Sequence, residues 1–256
     1  MKIALAYNKK PEEDILEDDE PPDRYAEYDP PRTIEAITSA LESLGHKVFP
    51  IEAKKDFLER ILEISPDIVF NIAEGLKGES RESQVPAILE WLGIPYTGSD
   101  PLTMAITLDK PITKKILQVE GIPTPRFAIV SEPEGLTSVE SLNFPLIVKP
   151  SHEGSSMGLN SKSIVYSCKE LKERVDIIIK FYNQPALVEE FIEGRELTVG
   201  ILGNSPPEVL PIKELDFSGV PENLGRFASG EIKAKYWYLV KHYCPAPLDE
   251  GLYERI

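Results

Sequence analysis

Lys149, which precedes a loop of glycines and serines, is the residue of this sequence whose setting most clearly allows chemistry. Residues 146–148 are apolar and largely β-branched, as in a buried strand, and Pro150 ends that run. The following residues, 153–158, contain two glycines, which let backbone approach a ligand closely, and two serine hydroxyls. Backbone N–H groups in such a loop can hold an anion, and the lysine adds a positive charge. The pattern therefore indicates a site for the phosphates of a nucleotide.

A simple turn is the competing explanation of this loop. Clusters of glycine and serine commonly connect two strands of a hairpin. The spacing of the glycines fits neither a P-loop nor a dinucleotide-binding loop, and residues 161–166 continue as a strand rather than as the helix that follows those motifs. From this segment alone, both explanations stay open.

The composition excludes several classes of function. The formal net charge of −15 argues against a partner held through nucleic-acid phosphates. No apolar run approaches the roughly 18 residues that span a bilayer, and the chain starts with a strand-like run rather than a signal peptide. We therefore expect a cytoplasmic protein with no membrane partner. Two distant cysteines and three histidines give no zinc-binding pattern.

An acidic, proline-containing segment, residues 11–32, carries much of the negative charge. It has ten acidic side chains, two arginines and five prolines. Such a composition favours a solvated, mobile loop. A lid over a binding site is the alternative, because long loops are often functional.

The order of the predicted elements changes after about residue 100. Strands are predicted at 3–7, 47–51, 67–72 and 94–97, and helices at 34–44, 57–64 and 83–92. This βαβ rhythm predicts an open parallel sheet, whose ligands bind beyond the carboxyl ends of the strands. Later come helices at 101–108, 111–120 and 168–182 and strands at 127–130, 147–148, 164–165, 186–192, 196–202 and 237–243, which indicates an α+β region with an antiparallel sheet.

Four segments together resemble the D-alanine–D-alanine ligases of the ATP-grasp superfamily. They are GIPYTGSDPLTMAITLDK at 93–110, FPLIVKPSHEGSSMGL at 144–159, LVEEFIEGRELTVGILGN at 187–204 and EIKAKYWYLVKHYCPA at 231–246. They occur in the order and at the spacing of that family. The resemblance implies an α/β N-terminal domain of the pre-ATP-grasp type over 1–100. An α+β ATP-grasp domain would follow, with its central subdomain over 101–185 and the start of its C-terminal subdomain over 186–256.

The resemblance implies ATP as the cofactor. Lys110 and Lys149 would reach the phosphates from two sides of a cleft, the segment after the strand at 186–190 would bind the adenine edge, and Glu196 would accept hydrogen bonds from the ribose. The residues implied for ATP are Lys110, Lys149, Gly154, Ser156, Met157, Gly158, Glu189, Glu190, Phe191, Ile192 and Glu196. From the β pattern alone, a solvated strand face is the favoured explanation of the two adjacent glutamates.

Three catalytic residues are also implied by the resemblance. Ser155 would position the first amino acid. It would also contact Tyr236, at the end of a mobile loop that covers 217–235, and a glutamate from the N-terminal domain. Lys235 stands beside that tyrosine. Closure of the loop would exclude water, which protects an acylphosphate from hydrolysis. Without the resemblance, Tyr236 is one more half-buried aromatic residue.

The N-terminal part departs from the family in two places. The glycine-rich loop and early glutamate that follow the first strand in these ligases have no assignable match among acids such as Glu12, Glu13 and Glu17. The histidine-glycine pair after the third strand is replaced by Glu74 and Gly75. The guanidinium of nearby Arg81 could bind a substrate carboxylate through two parallel hydrogen bonds. Glu74, Gly75 and Arg81 are therefore our candidate substrate contacts.

The metal site implied by the resemblance has no counterpart in the sequence. The family binds Mg²⁺ through an R-x-D strand and an E-x-N strand that follow the CPA segment, and neither strand follows that segment here. We therefore assign no metal ligand within this chain and expect the ligands beyond Ile256. On that expectation the ATP-grasp domain is incomplete, and the 256-residue chain by itself does not turn over.

The resemblance implies an ATP-dependent ligase that joins a carboxylate to an amine through an acylphosphate. D-alanine or a related amino acid would be the small-molecule substrate, as in the synthesis of the cell-wall dipeptide of peptidoglycan, and the protein would form a homodimer. One alternative is an inactive ATP-binding chain. Another is an ATP-grasp ligase for a different carboxylate.

Overall fold

The N-terminal sheet is parallel, as the sequence predicts. A computed structural model describes residues 1–12, 20–132 and 135–256. The strands β1 (Lys2–Tyr7), β2 (Lys47–Glu52) and β3 (Ile68–Asn71) lie in the order β2-β1-β3. The predicted strand at 94–97 is reduced to one bridge between Val69 and Tyr96, because this stretch pairs with β3 over a single position. The sheet's carboxyl edge carries Asn8 and the residues that follow Asn71.

Helices cover the N-terminal sheet. They are α1 (Pro31–Ser43), α2 (Phe57–Ile64) and α3 (Gln84–Leu92), the last preceded by a 3₁₀ turn at Arg81–Ser83. Apolar side chains of β1, such as Ala4 and Ala6, pack against Ile61 of α2 and Leu89 of α3, all of them buried. The packed core fixes the loops at the carboxyl edge, where the candidate substrate contacts lie.

The central part is an antiparallel sheet backed by one helix. Its strands are β4 (Phe127–Val130), β5 (Leu146–Pro150), β6 (Ile164–Val165) and β7 (Ala186–Glu190), in the order β4-β7-β5-β6. Helices α4 (Pro101–Leu108) and α5 (Lys110–Val119) precede the sheet, and α6 (Cys168–Tyr182) packs its buried face on it. The predicted hairpin is confirmed, because β5 and β6 pair antiparallel. Since β7 pairs with β4 and β5, this sheet runs past residue 185.

The C-terminal part holds two small sheets. One has the order β12-β11-β8 and the other pairs β10 with β9. The bounds are β8 (Glu196–Thr198), β9 (Ile201–Leu202), β10 (Glu208–Val209), β11 (Lys213–Asp216), β12 (Lys241–Tyr243) and α7 (Glu250–Arg255).

Two predicted strands of the C-terminal part are wrong in extent. The strand predicted at 196–202 is split into β8 and β9, which pair in different sheets. The strand predicted at 237–243 is confined to β12, because a π-helical turn at Ile232–Tyr236 and a 3₁₀ turn at Trp237–Leu239 precede it. The packing of Tyr236, Trp237 and Leu239 against buried Ile232 accounts for those turns.

The acidic segment is only partly as predicted. Residues 13–19, including Glu13 and Glu17, lie outside the described residues. Glu12 is exposed, but most of residues 20–30 are half-buried or buried, so a solvated loop is wrong for this stretch, while its mobility stays a prediction. The amide of Lys10 donates to the carbonyl of Asp29, and Glu27 is buried. Within the described ranges, no helix has the length and apolarity to cross a membrane.

Candidate nucleotide and substrate site

The loop at residues 153–158, which we call the glycine-serine loop, has an unusual backbone. It leaves β5 after Pro150, and Ser155, Ser156 and Gly158 all have positive φ, at 45°, 62° and 73°. A side chain at Gly158 would place its Cβ 2.6 Å from the ring of Pro150, so only glycine fits there. Left-handed serines are costly and persist only where neighbouring contacts fix them. The loop is therefore held in shape by the elements around it.

The two predicted phosphate lysines lie beside this loop. Lys149 is on β5, and Lys110 begins α5, where its amide donates to the carbonyl of Ser151 (3.1 Å) and its Nζ to the carbonyl of Glu153. Burial, together with the charge of Lys149, lowers the pKa of Lys110 to about 8. Two cations that disfavour one another in a partly buried place are the arrangement that a bound anion stabilises.

Glu189 is buried between two lysines rather than on a solvated strand face. Its Oε1 lies 2.6 Å from Nζ of Lys114, and its Oε2 pairs with Lys149. Lys114 also donates to Oγ1 of Thr124 (2.6 Å). Burial acts to raise the pKa of Glu189, but the two lysines outweigh it and hold that pKa below its usual range. The ion pairs therefore fix the direction of Lys149.

Glu190 and Phe191 form the turn after β7. Oε1 of Glu190 accepts hydrogen bonds from the amide of Asn143 (2.9 Å) and from Arg126 (3.2 Å). The amide of Phe191 donates to the carbonyl of Pro145 (2.9 Å), and Ile192 is exposed. The ring of Phe191 meets the ring of Phe227 edge-on at 6.2 Å. This turn is thus tied to the segment 217–235.

The segment 217–235 also contacts the glycine-serine loop and Glu196. The amide of Ala228 donates to Oε1 of Glu196 (3.0 Å), and Oγ of Ser156 donates to the carbonyl of Ala228 (2.7 Å). The amide of Gly230 donates to the carbonyl of Leu159 (3.1 Å). Burial raises the pKa of Glu196. The loop is consequently anchored to the C-terminal part of the chain, while Met157 is buried beneath it.

The three predicted catalytic residues do not meet directly. Ser155 is exposed, whereas Tyr236 packs into the apolar cluster around Ile232. Among the described residues, no hydrogen bond joins Ser155 to Tyr236. Lys235 is exposed and lies 3.7 Å from Glu231, one turn earlier. Their joint role in catalysis stays a prediction.

Glu74 and Gly75 lie at the carboxyl edge of the N-terminal sheet. Their amides both donate to Oδ1 of buried Asn8, at 2.9 Å each. Gly75 has a φ of 79° and lies too close to the backbone of Arg81 to admit a Cβ. Burial, then the neighbouring charges of Glu82 and Glu27, raise the pKa of Glu74 to about 7. A carboxyl group in this state is partly protonated near neutral pH and can donate a hydrogen bond to a substrate.

Arg81 connects the N-terminal domain to the glycine-serine loop. Its Nη1 donates to the carbonyl of His152 (2.8 Å), and its Nη2 lies 2.7 Å from Glu27 and 2.8 Å from Glu153. Oε1 of Glu27 in turn accepts from the amide of Gly154 at 2.5 Å. The guanidinium is therefore engaged by two carboxylates of the chain itself, which makes it a group that positions the loop.

Glu27 is the site residue that the sequence analysis did not single out. It belongs to the connection between β1 and α1, which follows the carboxyl end of the central parallel strand. Residues at that place in an open α/β sheet commonly face the ligand. The position of Glu27 after the central parallel strand could therefore have identified it as a site residue. It was not singled out because the segment 11–32 contains many other acidic residues.

A metal site is not formed by the part of the chain that the structure describes. Over residues 1–12, 20–132 and 135–256, no three His, Cys, Asp or Glu side chains come together to hold an ion. Glu214, on the middle strand β11 of the C-terminal three-stranded sheet, is instead held in a bidentate pair by Arg195, at 2.7 and 2.6 Å.

Comparison with known proteins settles the family. A family profile described as "D-ala D-ala ligase C-terminus" matches residues 116–256, more than half of the chain. The chain belongs to the D-alanine–D-alanine ligase family. The resemblance drawn from four sequence segments is thereby confirmed.

Relatives of known sequence support the same assignment. The D-alanine–D-alanine ligase of Aquifex aeolicus is 42% identical over 185 residues, which is 72% of this chain and 60% of the relative. An uncharacterized protein, y4sG, of Sinorhizobium fredii is 39% identical over 231 residues, 86% of this chain and 66% of the relative. The chain thus spans about two thirds or less of the length of these family members.

Solved structures of the ligase family share the fold. The D-alanine–D-alanine ligase of Bacillus anthracis complexed with ATP aligns with a TM-score of 0.70 and 24% identity, covering 100% of this chain and 74% of that one. The VanG D-Ala:D-Ser ligase of Enterococcus faecalis aligns with a TM-score of 0.67 and 21% identity, covering 99% and 79%. The predicted fold class, an α/β domain followed by an α+β ATP-grasp domain, is confirmed.

Replacement of Glu189 tests the ion pairs beneath the site. Glu189→Gln leaves buried Lys114 and half-buried Lys149 without their negative partner, so we expect the free energy of unfolding to fall by about 3 kcal/mol, measured by urea denaturation at pH 7. Because the folded-state pKa of Glu189 is lowered, its contribution is present above the ordinary glutamate pKa and is lost as the pH falls through the lower folded value. The difference between the two proteins should therefore narrow in acid.

The matched control is Glu173→Gln on α6. Glu173 is exposed and lies 3.9 Å from exposed Lys169, so this variant should change the unfolding free energy by less than about 0.5 kcal/mol. Equal stabilities of the wild type and the Glu189 variant would contradict the assignment of a structural role to the lysine pairs.

Proposed function

We propose that the glycine-serine loop and its lysines bind the phosphates of ATP, and that the protein takes part in joining a carboxylate to an amine. The observation that carries this proposal is the convergence of Lys110 and Lys149 on a loop whose left-handed backbone is fixed by its surroundings. Membership of the ligase family supports it. A hairpin turn without a ligand gives no reason to hold two half-buried lysines close to one another.

The binding residues divide among the parts of ATP. Lys110, Lys149 and the loop residues Gly154, Ser156, Met157 and Gly158 hold the phosphates. The turn of Glu190, Phe191 and Ile192 holds the adenine edge through its backbone, and Glu189 directs Lys149. Glu196 accepts hydrogen bonds from the ribose, although its Oε1 already receives one from Ala228. When bound, ATP supplies the phosphoryl group that makes a carboxylate oxygen a leaving group.

The substrate side of the site is strongly acidic. Glu27, Glu74, Glu82 and Glu153 gather around the single guanidinium of Arg81. We assign the first substrate's amine to these carboxylates, with Ser155 as a hydroxyl partner. D-alanine or a related amino acid fits this charge. Because Glu74 stands where the resembled ligases have a histidine, the first substrate is D-alanine or a related amino acid.

Water exclusion falls to the segment 217–235 and to Tyr236. The contacts of Ala228 and Phe227 with Ser156 and Phe191 close one side of the cleft. The described residues do not supply a magnesium site, so no step is assigned to Mg²⁺. A homodimer, as in the family resemblance, is a further part of the proposal.

Lys149 offers a direct test of phosphate binding. Lys149→Gln removes the charge but keeps a donor for Glu189, so we expect ATP affinity to fall at least about tenfold in isothermal titration calorimetry. The control is Lys115→Gln, which removes an exposed charge on α5 and should leave the affinity unchanged. Unchanged ATP affinity in the Lys149 variant, with a folded protein, would sink the phosphate assignment.

Phosphate release tests the ligase activity itself. The protein expressed from its complete coding sequence should release phosphate from ATP only when an amino acid or dipeptide is added, with D-alanine among the responding members of a panel of D- and L-amino acids. Release at background level across the whole panel, with ATP bound, would instead support the alternative of an ATP-binding chain without turnover. A response restricted to other carboxylates would support the second alternative.

A further inference from the structure

Asp23 connects the acidic segment to the far end of the glycine-serine loop. Its Oδ2 accepts a hydrogen bond from the amide of Gly158 at 2.7 Å, and its Oδ1 accepts one from the hydroxyl of Tyr182 at 2.6 Å. Gly158 and Tyr182 each lie more than one hundred positions from Asp23 in the chain, so local sequence does not impose these contacts. Both carboxylate oxygens are used.

Gly158 is held from its other side as well. Its carbonyl accepts hydrogen bonds from Nη2 of Arg174 and from Oγ of buried Ser163 (3.2 Å). Burial lowers the pKa of Arg174, and its interactions with Tyr182 and Asp23 offset only part of that lowering. Burial and the bond to Asp23 raise the pKa of Tyr182, so its hydroxyl keeps its proton at neutral pH and remains a donor. The peptide groups on both sides of Gly158 are therefore fixed by charged partners.

We propose that Asp23 is a positioning residue of the nucleotide site, whose carboxylate, seated on Gly158 and Tyr182, holds the glycine-serine loop in the shape that receives phosphates. The inference rests on the proposed ATP site and assigns it a residue from the acidic segment. Asp23 acts through the loop backbone and does not touch the ligand.

The geometry indicates why the effect should be confined to phosphates. Gly158 lies two residues after Ser156. Ser155, Ser156 and Gly158 share a left-handed backbone conformation, whose energetic cost neighbouring contacts must offset. The turn proposed for adenine, at Glu190 and Phe191, has anchors of its own in Asn143, Arg126 and Pro145, in addition to the ring contact of Phe191 with Phe227. Loss of Asp23 therefore loosens the phosphate end of the site and leaves the adenine end intact.

Graded variants test the inference. Asp23→Ala removes both bonds, whereas Asp23→Asn can still accept from Gly158 and donate to the Tyr182 oxygen, because a hydroxyl also accepts. Tyr182→Phe keeps only the bond to Gly158. Glu12→Gln, an exposed acid-to-amide change in the same segment, is the matched control. Each protein is titrated calorimetrically with ATP and separately with adenosine, which lacks phosphates, and its folding is checked by urea denaturation.

We expect Asp23→Ala to weaken ATP binding about tenfold, the loss of one or two charge-assisted bonds, and the Asn and Phe variants to weaken it about threefold. Adenosine affinity should be the same in all of them, and the control should equal the wild type for both ligands. If the alanine variant does not fold, the Asn and Phe variants carry the test, since each retains part of the network.

Three results would overturn the inference. Unchanged ATP affinity would show that the loop does not depend on Asp23, and equal losses for ATP and adenosine would show a merely structural role. Tighter ATP binding would show that the carboxylate competes with phosphate for the loop. A wild-type protein that binds no ATP would overturn the proposed function first and this inference with it, so the two failures are distinguishable.

Discussion

The shape of the glycine-serine loop is the constraint on which the rest of the site depends. Two serines and a glycine among four consecutive residues adopt left-handed backbone, a conformation that the loop cannot hold by itself. Carboxylates from the N-terminal segment hold the amides of Gly154 and Gly158, and the segment 217–235 binds Ser156. The loop is thus the point at which all three parts of the chain meet.

Charge pairing governs the two sides of this loop in different ways. On the nucleotide side, Glu189 neutralises Lys114 and directs Lys149, while burial and the charge of Lys149 lower the pKa of Lys110. On the substrate side, carboxylates outnumber the one guanidinium of Arg81. An anion is therefore favoured on the first side and an amine on the second, the two charges that an ATP-dependent ligase must bring together.

Local patterns in the sequence were enough to predict the framework. The parallel order around β1, the hairpin of β5 and β6, and the helix Cys168–Tyr182 all follow from apolar periodicity and turn residues. The division of residues 196–202 between two sheets was not predictable, because a continuous β pattern does not show which partner each half finds. Nor was the helical turn at Tyr236, where tertiary packing on Ile232 overrides aromatic β propensity.

The site was predictable to the extent that single residues carry a family motif. Lys110, Lys149 and the loop could be named from sequence, but the partner of Glu189 on α5, Lys114, could not, because that pairing depends on how α5 packs beside β7. For residues 20–32, composition led to the wrong prediction of a solvated loop. Acids and prolines normally signal a solvated segment, yet the carboxylates of Asp23 and Glu27 find backbone donors more than one hundred residues away.

In the proposed complex, the phosphates of ATP lie between the glycine-serine loop and its two lysines. A crystal structure of the protein with a non-hydrolysable ATP analogue tests it most directly. We predict phosphate oxygens within hydrogen-bond distance of Nζ of Lys110 and Lys149 and of loop amides, with adenine beside the backbone at Phe191. Phosphates located away from both lysines, or a nucleotide bound elsewhere on the chain, would contradict it.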